Sequence, residues 1–123
     1  MFKPGDVVLV FSEPANKKKY HLCISLNGCY LYVNSPKAKS YPGDVAFPCA
    51  DFAFLDPTDS GVSIVSCNVV VAIDDAQMKA GNAILKGTVS NAVLRTLVKE
   101  IEDSEILSPD EIEAALNGLG DYL

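Results

Sequence analysis

A group of side chains in the first third of the chain could do chemistry together: Lys17, Lys18, Lys19, His21, Tyr30, Tyr32, Asn34, Ser35 and Lys37. Lys19 can supply a cation where negative charge gathers. His21, the only histidine, can take or give a proton near neutral pH. Asn34 and Ser35 can donate hydrogen bonds to anionic oxygens. Tyr30 and Tyr32 offer ring faces on which a flat group stacks, and Lys17, Lys18 and Lys37 add charge for an anionic ligand. Each type also has a structural use. Lysines guard strand edges, tyrosines pack across strands, and a strand histidine can be a satisfied interior residue. What favours chemistry is their convergence on one face.

The convergence follows from a hairpin. Residues 17–35 hold two runs rich in β-branched and aromatic residues around Asn27-Gly28, the dipeptide preferred in a two-residue type I′ turn. That turn pairs Leu26 with Cys29, Ser25 with Tyr30, Ile24 with Leu31, Cys23 with Tyr32, Leu22 with Val33 and His21 with Asn34. Side chains alternate along a strand. One face therefore holds Leu22, Ile24, Leu26, Cys29, Leu31 and Val33, a core face. The other holds Lys19, His21, Cys23, Ser25, Tyr30, Tyr32 and Asn34, where a site is expected.

The rest of the chain must position that hairpin. Val7 to Phe11 is an apolar strand, and the loop around Pro14 ends it. Residues 35–44 read as a polar loop with two prolines. Val45 to Phe47 is a short strand, 50–55 is ambiguous, and 56–61 is a turn. Val62 to Cys67 and Asn68 to Ile73 read as two strands with a bend between them. The period then changes to helical. Asp74 or Asp75 caps a helix over 76–85, stopped by Gly87. Ser90 caps a second, with Val93, Leu94, Leu97, Val98 and Ile101 on one face. Ser108, Pro109 and Glu111 form the N-terminal signature of a third, with a capping box. Its buried face is Ile112, Ala115 and Leu116, and Gly118 ends it. The organisation is a β core over 1–75 and a helical extension over 76–123 packed on the same domain. The fold class is α+β, with the strands curling into a small antiparallel barrel.

The chain has 123 residues and a formal charge of −6, a size that suits one domain and a sign that disfavours general nucleic-acid binding. The charge is uneven: acids number eight against six bases through Asp75, and eight against four beyond it. Glu100, Glu102, Asp103 and Glu105 concentrate the acidity. Cys23, Cys29, Cys49 and Cys67 lack the CxxC spacing of a zinc site, and are expected as small strand hydrophobes with no disulfide. Neither a metal nor another cofactor is expected. No run is long enough to span a bilayer. The start, Met1 to Asp6, has no signal-peptide pattern, so the expected location is cytoplasmic.

The order of these pieces resembles the toxins of the MazF/PemK (Kid) family over roughly residues 1–85. Gly5-Asp6-Val7-Val8-Leu9-Val10 is similar to the family's opening strand. Lys19-Tyr20-His21-Leu22-Cys23-Ile24-Ser25 is similar to its strand of the type Arg-Pro-x-Leu-Val-Leu-Ser. Val33-Asn34-Ser35 takes the place of its Ile-Thr-Ser turn, and Val62 to Cys67 that of a later Ser-Tyr-Val strand. The resemblance implies an SH3-like barrel, metal-independent endoribonuclease activity on single-stranded RNA, a homodimer and an antitoxin partner. The family's catalytic arginine matches Lys19, which lacks the planar fork, and its threonine matches Asn34, with Ser35 beside it. On this reading Lys19, His21, Asn34 and Ser35 are catalytic, and Lys17, Lys18, Lys37, Tyr30 and Tyr32 bind substrate. The alternative is a catalytically inactive relative, an interaction module whose acidic helical tail docks a protein partner.

Overall fold

The structure is a computed structural model that describes residues 2–36 and 41–120. Among the described residues, six strands form one antiparallel sheet and three α-helices cover it. The strands are β1 (Asp6–Ser12), β2 (Lys17–Ser25), β3 (Cys29–Asn34), β4 (Asp44–Pro48), β5 (Val62–Ala72) and β6 (Ile84–Thr88). The helices are α1 (Asp75–Ala80), α2 (Asn91–Glu102) and α3 (Pro109–Gly120). The order across the sheet is β4-β5-β3-β2-β1-β6.

The unbroken apolar run of β1 has a physical reason: the strand is buried on both faces. Val7 enters a main core with Leu22, Ile24, Leu31, Val33 and Val65, roofed by Leu94, Leu97 and Ile101 of α2 and Ala115 and Leu119 of α3. Val8 and Val10 point the other way, into a second core with Cys23, Tyr30 and Met78 of α1. The helices beyond residue 90 thus complete the main core, and Leu97, Ile101, Ala115 and Leu119 are fully buried.

The hairpin keeps the expected faces with a different register. His21 lies opposite Tyr32, Leu22 opposite Leu31 and Cys23 opposite Tyr30, so His21 does not face Asn34. The loop is three residues long. The Gly28 N–H donates to the Ser25 carbonyl at 3.2 Å, Gly28 has φ +84° and Asn27 keeps a negative φ, and a bulge between Cys23 and Ser25 takes up the difference. The slip is two residues, which preserves the side-chain alternation. Ile73 selects this turn: its N–H donates to the Gly28 carbonyl at 2.9 Å, and a Cβ on Gly28 would lie 2.5 Å from the Ile73 oxygen. Leu26, assigned to the core face, is 60% exposed at the turn.

Three other expectations are corrected. Val62–Ala72 is one strand, with an irregularity in its pairing to β3 between Tyr30 and Tyr32. The helix expected over 76–85 ends at Ala80, and the chain returns as β6 along β1. Gly118 lies inside α3, where its bare Cα meets β2: a Cβ there would sit 2.3 Å from the Ile24 carbonyl oxygen.

The cap chemistry is realised as read. Asp74 and Gln77 form a capping box on α1, the Val93 N–H donates to Ser90 Oγ at 3.4 Å, and the Glu111 N–H donates to Ser108 Oγ at 3.2 Å. Glu111 does more than cap. Oε1 accepts from the Ser108 N–H at 3.1 Å, while Oε2 accepts from the Val70 N–H of β5 at 2.9 Å. This supplies an acceptor where β5 loses its register with β3. The two hydrogen-bonded backbone amides hold the Glu111 carboxyl below its ordinary value.

Candidate functional site

β2 and β3 carry the first residues of the site. The Lys19 ammonium lies 4.5 Å from the centroid of the Tyr32 ring, a cation–π distance. The His21 imidazole tilts against the same ring at 5.0 Å. From the end of β1, the Ser12 hydroxyl reaches the Tyr32 hydroxyl at 3.2 Å. Lys19, His21 and Tyr32 are therefore brought together, with Ser12 as a fourth member that the strand pattern alone does not mark.

His21 Nδ1 lies 2.9 Å from the Lys19 carbonyl oxygen. A carbonyl only accepts, so Nδ1 carries the proton and Nε2 a lone pair. Nε2 is buried and has no hydrogen-bond partner among the described residues. Burial lowers the pKa of His21 and the Lys19 charge adds to this, against an opposing push from the bond to the Lys19 carbonyl. The imidazole is thus neutral at neutral pH. It lines a cavity of about 600 Å³ with Phe11, Ser12, Lys18, Tyr32, Ile73 and Gln77 among its walls. The last two come from the segment just after β5 and from α1. They enter the site because α1 closes over this face of the sheet, an event with no local sequence signal.

Asn34 and Ser35 lie in clefts next to that cavity. Asn34 Nδ2 donates to Ser66 Oγ at 2.9 Å, which leaves a second amide hydrogen. Both residues line a cleft of about 320 Å³ that shares Tyr32 with the cavity, and a second of about 500 Å³ bordered by Tyr20, Thr58 and Ser63. Beside that second cleft, hydrogen bonding from Thr58 lowers the pKa of the Cys49 thiol.

The outer members separate. Lys17 and Lys18 are exposed on β2, and Lys18 lines the cavity. Lys37 lies outside the described residues. Tyr30 is a correction: it is 3% exposed, packed in the second core, so its ring is closed to an incoming base. His21, expected on an open face, is fully buried. The cysteines are free. Cys23 and Cys67 are interior, but Cys49 opens a 3-10 turn outside the strands.

Among the described residues no helix is long and apolar enough to cross a membrane. In comparisons with known proteins, the chain matches no family model and no curated protein.

Proposed function

We propose that the protein is a metal-independent endoribonuclease of the MazF/PemK type, acting on single-stranded RNA from an SH3-like barrel. The observation that carries this reading is the Lys19 ammonium held over Tyr32, beside the cleft that Asn34 and Ser35 line. A cation and two neutral donors at one end of the central strands β2 and β3 suit a phosphate diester.

In the reaction, the ribose 2′-oxygen attacks the adjacent phosphorus and the bond from phosphorus to the 5′-oxygen breaks. Water in the open cleft takes the 2′ proton and supplies the one gained by the 5′-oxygen. The products are a 2′,3′-cyclic phosphate and a 5′-hydroxyl. Lys19 balances the charge on the phosphoryl oxygens, and the free Asn34 amide hydrogen and the Ser35 hydroxyl donate to them. His21 takes no part in the proton transfer, because its free nitrogen is buried. The same reading carries an antitoxin partner and a homodimer with it.

The test is incubation of the purified protein with a long mixed-sequence RNA in EDTA, beside Lys19→Ala. Discrete cuts are expected, falling about 100-fold or more in the variant, the scale of losing one charge-stabilising donor. Intact RNA, with the protein folded by circular dichroism, would refute the reading in favour of a non-catalytic interaction module.

A further inference from the structure

Four side chains of the site make a closed loop of contacts around the Tyr32 ring. The Lys19 ammonium stands 4.5 Å from its centroid. The His21 imidazole lies against it at 5.0 Å, directly across the pairing of β2 with β3. The Ser12 hydroxyl meets the phenol tip at 3.2 Å. His21 closes the loop, because its Nδ1–H donates to the Lys19 carbonyl at 2.9 Å. One imidazole thus fixes the backbone that carries the ammonium and braces the ring beneath it. Ser12 and His21 are buried, whereas Lys19 and Tyr32 are half-buried. The contacts run from the interior outward and end at the charge.

Lysine carries its charge on a flexible four-carbon stem, and a charge already in place stabilises a transition state better than one that must first be ordered. We propose that Tyr32, Ser12 and His21 are positioning residues that seat the Lys19 ammonium, and that Tyr32 acts through Lys19 and not as a platform for a base. The types fit these roles. A phenylalanine would offer the same ring face but no tip for Ser12 to meet, and an apolar side chain at position 21 would leave the Lys19 carbonyl without its donor. The face under the ammonium is closed to stacking. Lys17 and Lys18 are exposed on the same strand, which sets Lys19 apart as the half-buried cation of the run. That the seated charge meets a phosphate rests on the RNA reading above; the seat itself does not.

Two measurements test the seat. The first needs no substrate. In protein labelled with ¹³C-lysine, the Lys19 ε-methylene signal is identified by its absence from Lys19→Ala. Ring current should place its protons upfield of the other lysines, Tyr32→Leu should return them to the common position, and Tyr32→Phe, which keeps the ring and loses the tie to Ser12, should lie between. The second is a double-mutant cycle on RNA cleavage. Tyr32→Leu should lower kcat/KM about threefold to thirtyfold in the native background, the range of a cation–π contact. In the Lys19→Ala background the same change should alter it by less than about twofold. A base platform would instead cost the same factor in both backgrounds, which would overturn the proposal. So would a Lys19 signal at the common position in the native protein, or one that Tyr32→Leu leaves in place. If Tyr32→Leu fails to fold by circular dichroism, Ser12→Ala and Tyr32→Phe take its place in both measurements, with smaller shifts in the same direction. Intact RNA with the ring-current shift present would sink the nuclease reading and leave the seat standing. Discrete cuts without that shift would sink the seat alone.

Discussion

Glu111 is one residue whose removal should loosen two elements at once. Its carboxylate accepts from Ser108 at the start of α3 and from Val70 on β5. Glu111→Ala removes half of a capping box, worth about 0.5–1 kcal/mol when the Ser108 half survives. It also strands the Val70 amide, and an unpaired buried donor costs about 1–3 kcal/mol. Val70 is only partly buried, so water recovers some of that cost and the low end applies. The total is about 2 kcal/mol, roughly a 30-fold change in the folding equilibrium. Glu111→Gln, with one acceptor oxygen for two N–H groups, should fall near half that. The folded-state pKa of Glu111 is depressed. Its contribution is therefore complete above the unfolded value of about 4.5 and disappears as pH falls through the lower folded value. Urea denaturation followed by circular dichroism gives the energies, and hydrogen exchange at the Val70 amide gives the location. A loss under about 0.3 kcal/mol in Glu111→Ala, with unchanged Val70 exchange, would refute this account of how α3 is held to the sheet.

Other substitutions and conditions probe the remaining features. Gly118→Ala raises helix propensity by about 1 kcal/mol, yet it should destabilise by about 1–3 kcal/mol through collision with β2; a melting temperature at or above the parent's would contradict the packing. His21 should titrate below 6.5 in an NMR pH series. Because the unfolded chain binds that proton more readily, stability should be full above pH 6.5 and decline as pH falls toward the folded value; a pKa at the ordinary value would show that the nitrogen is solvated. Iodoacetamide in the native state should modify Cys49 ahead of Cys23 and Cys67, whose thiols burial pushes up to about 11 and about 12. Peptide mass spectrometry reads the order, and early labelling of Cys67 would show that the main core opens.

Local chemistry is legible in the residues and tertiary approach is not. The Ser90 and Ser108 caps can be read directly because a cap is settled within four residues. The alternation of β2 and β3 can be read because it survives even a two-residue slip. The turn itself cannot: Asn27-Gly28 favours a two-residue loop by local preference, and only the Ile73 backbone against Gly28 selects three. Gly87 and Gly118 read as helix stops, yet each is a place where another segment needs the room. A Cβ on Gly87 would lie 2.3 Å from Phe54 Cγ, so the glycine seats an aromatic ring beneath an edge strand. The same limit applies to the site. Residue types on β2 and β3 mark Lys19, His21 and Tyr32, whereas the burial of His21 depends on α1, which arrives more than 50 residues later.

The pairing of β1 with β6 also bears on how the chain is made. The Asp6 carboxylate accepts from the Thr88 hydroxyl 82 residues away, and Leu119 fills the same core as Val7. A nascent chain emerging from the ribosome therefore exposes its most apolar strand long before the segments that cover it have been synthesised. Contacts of such long sequence separation close slowly. During that interval β1 is the segment most liable to pair with the wrong partner, so translation that stalls before α3 should yield aggregate rather than a smaller folded domain.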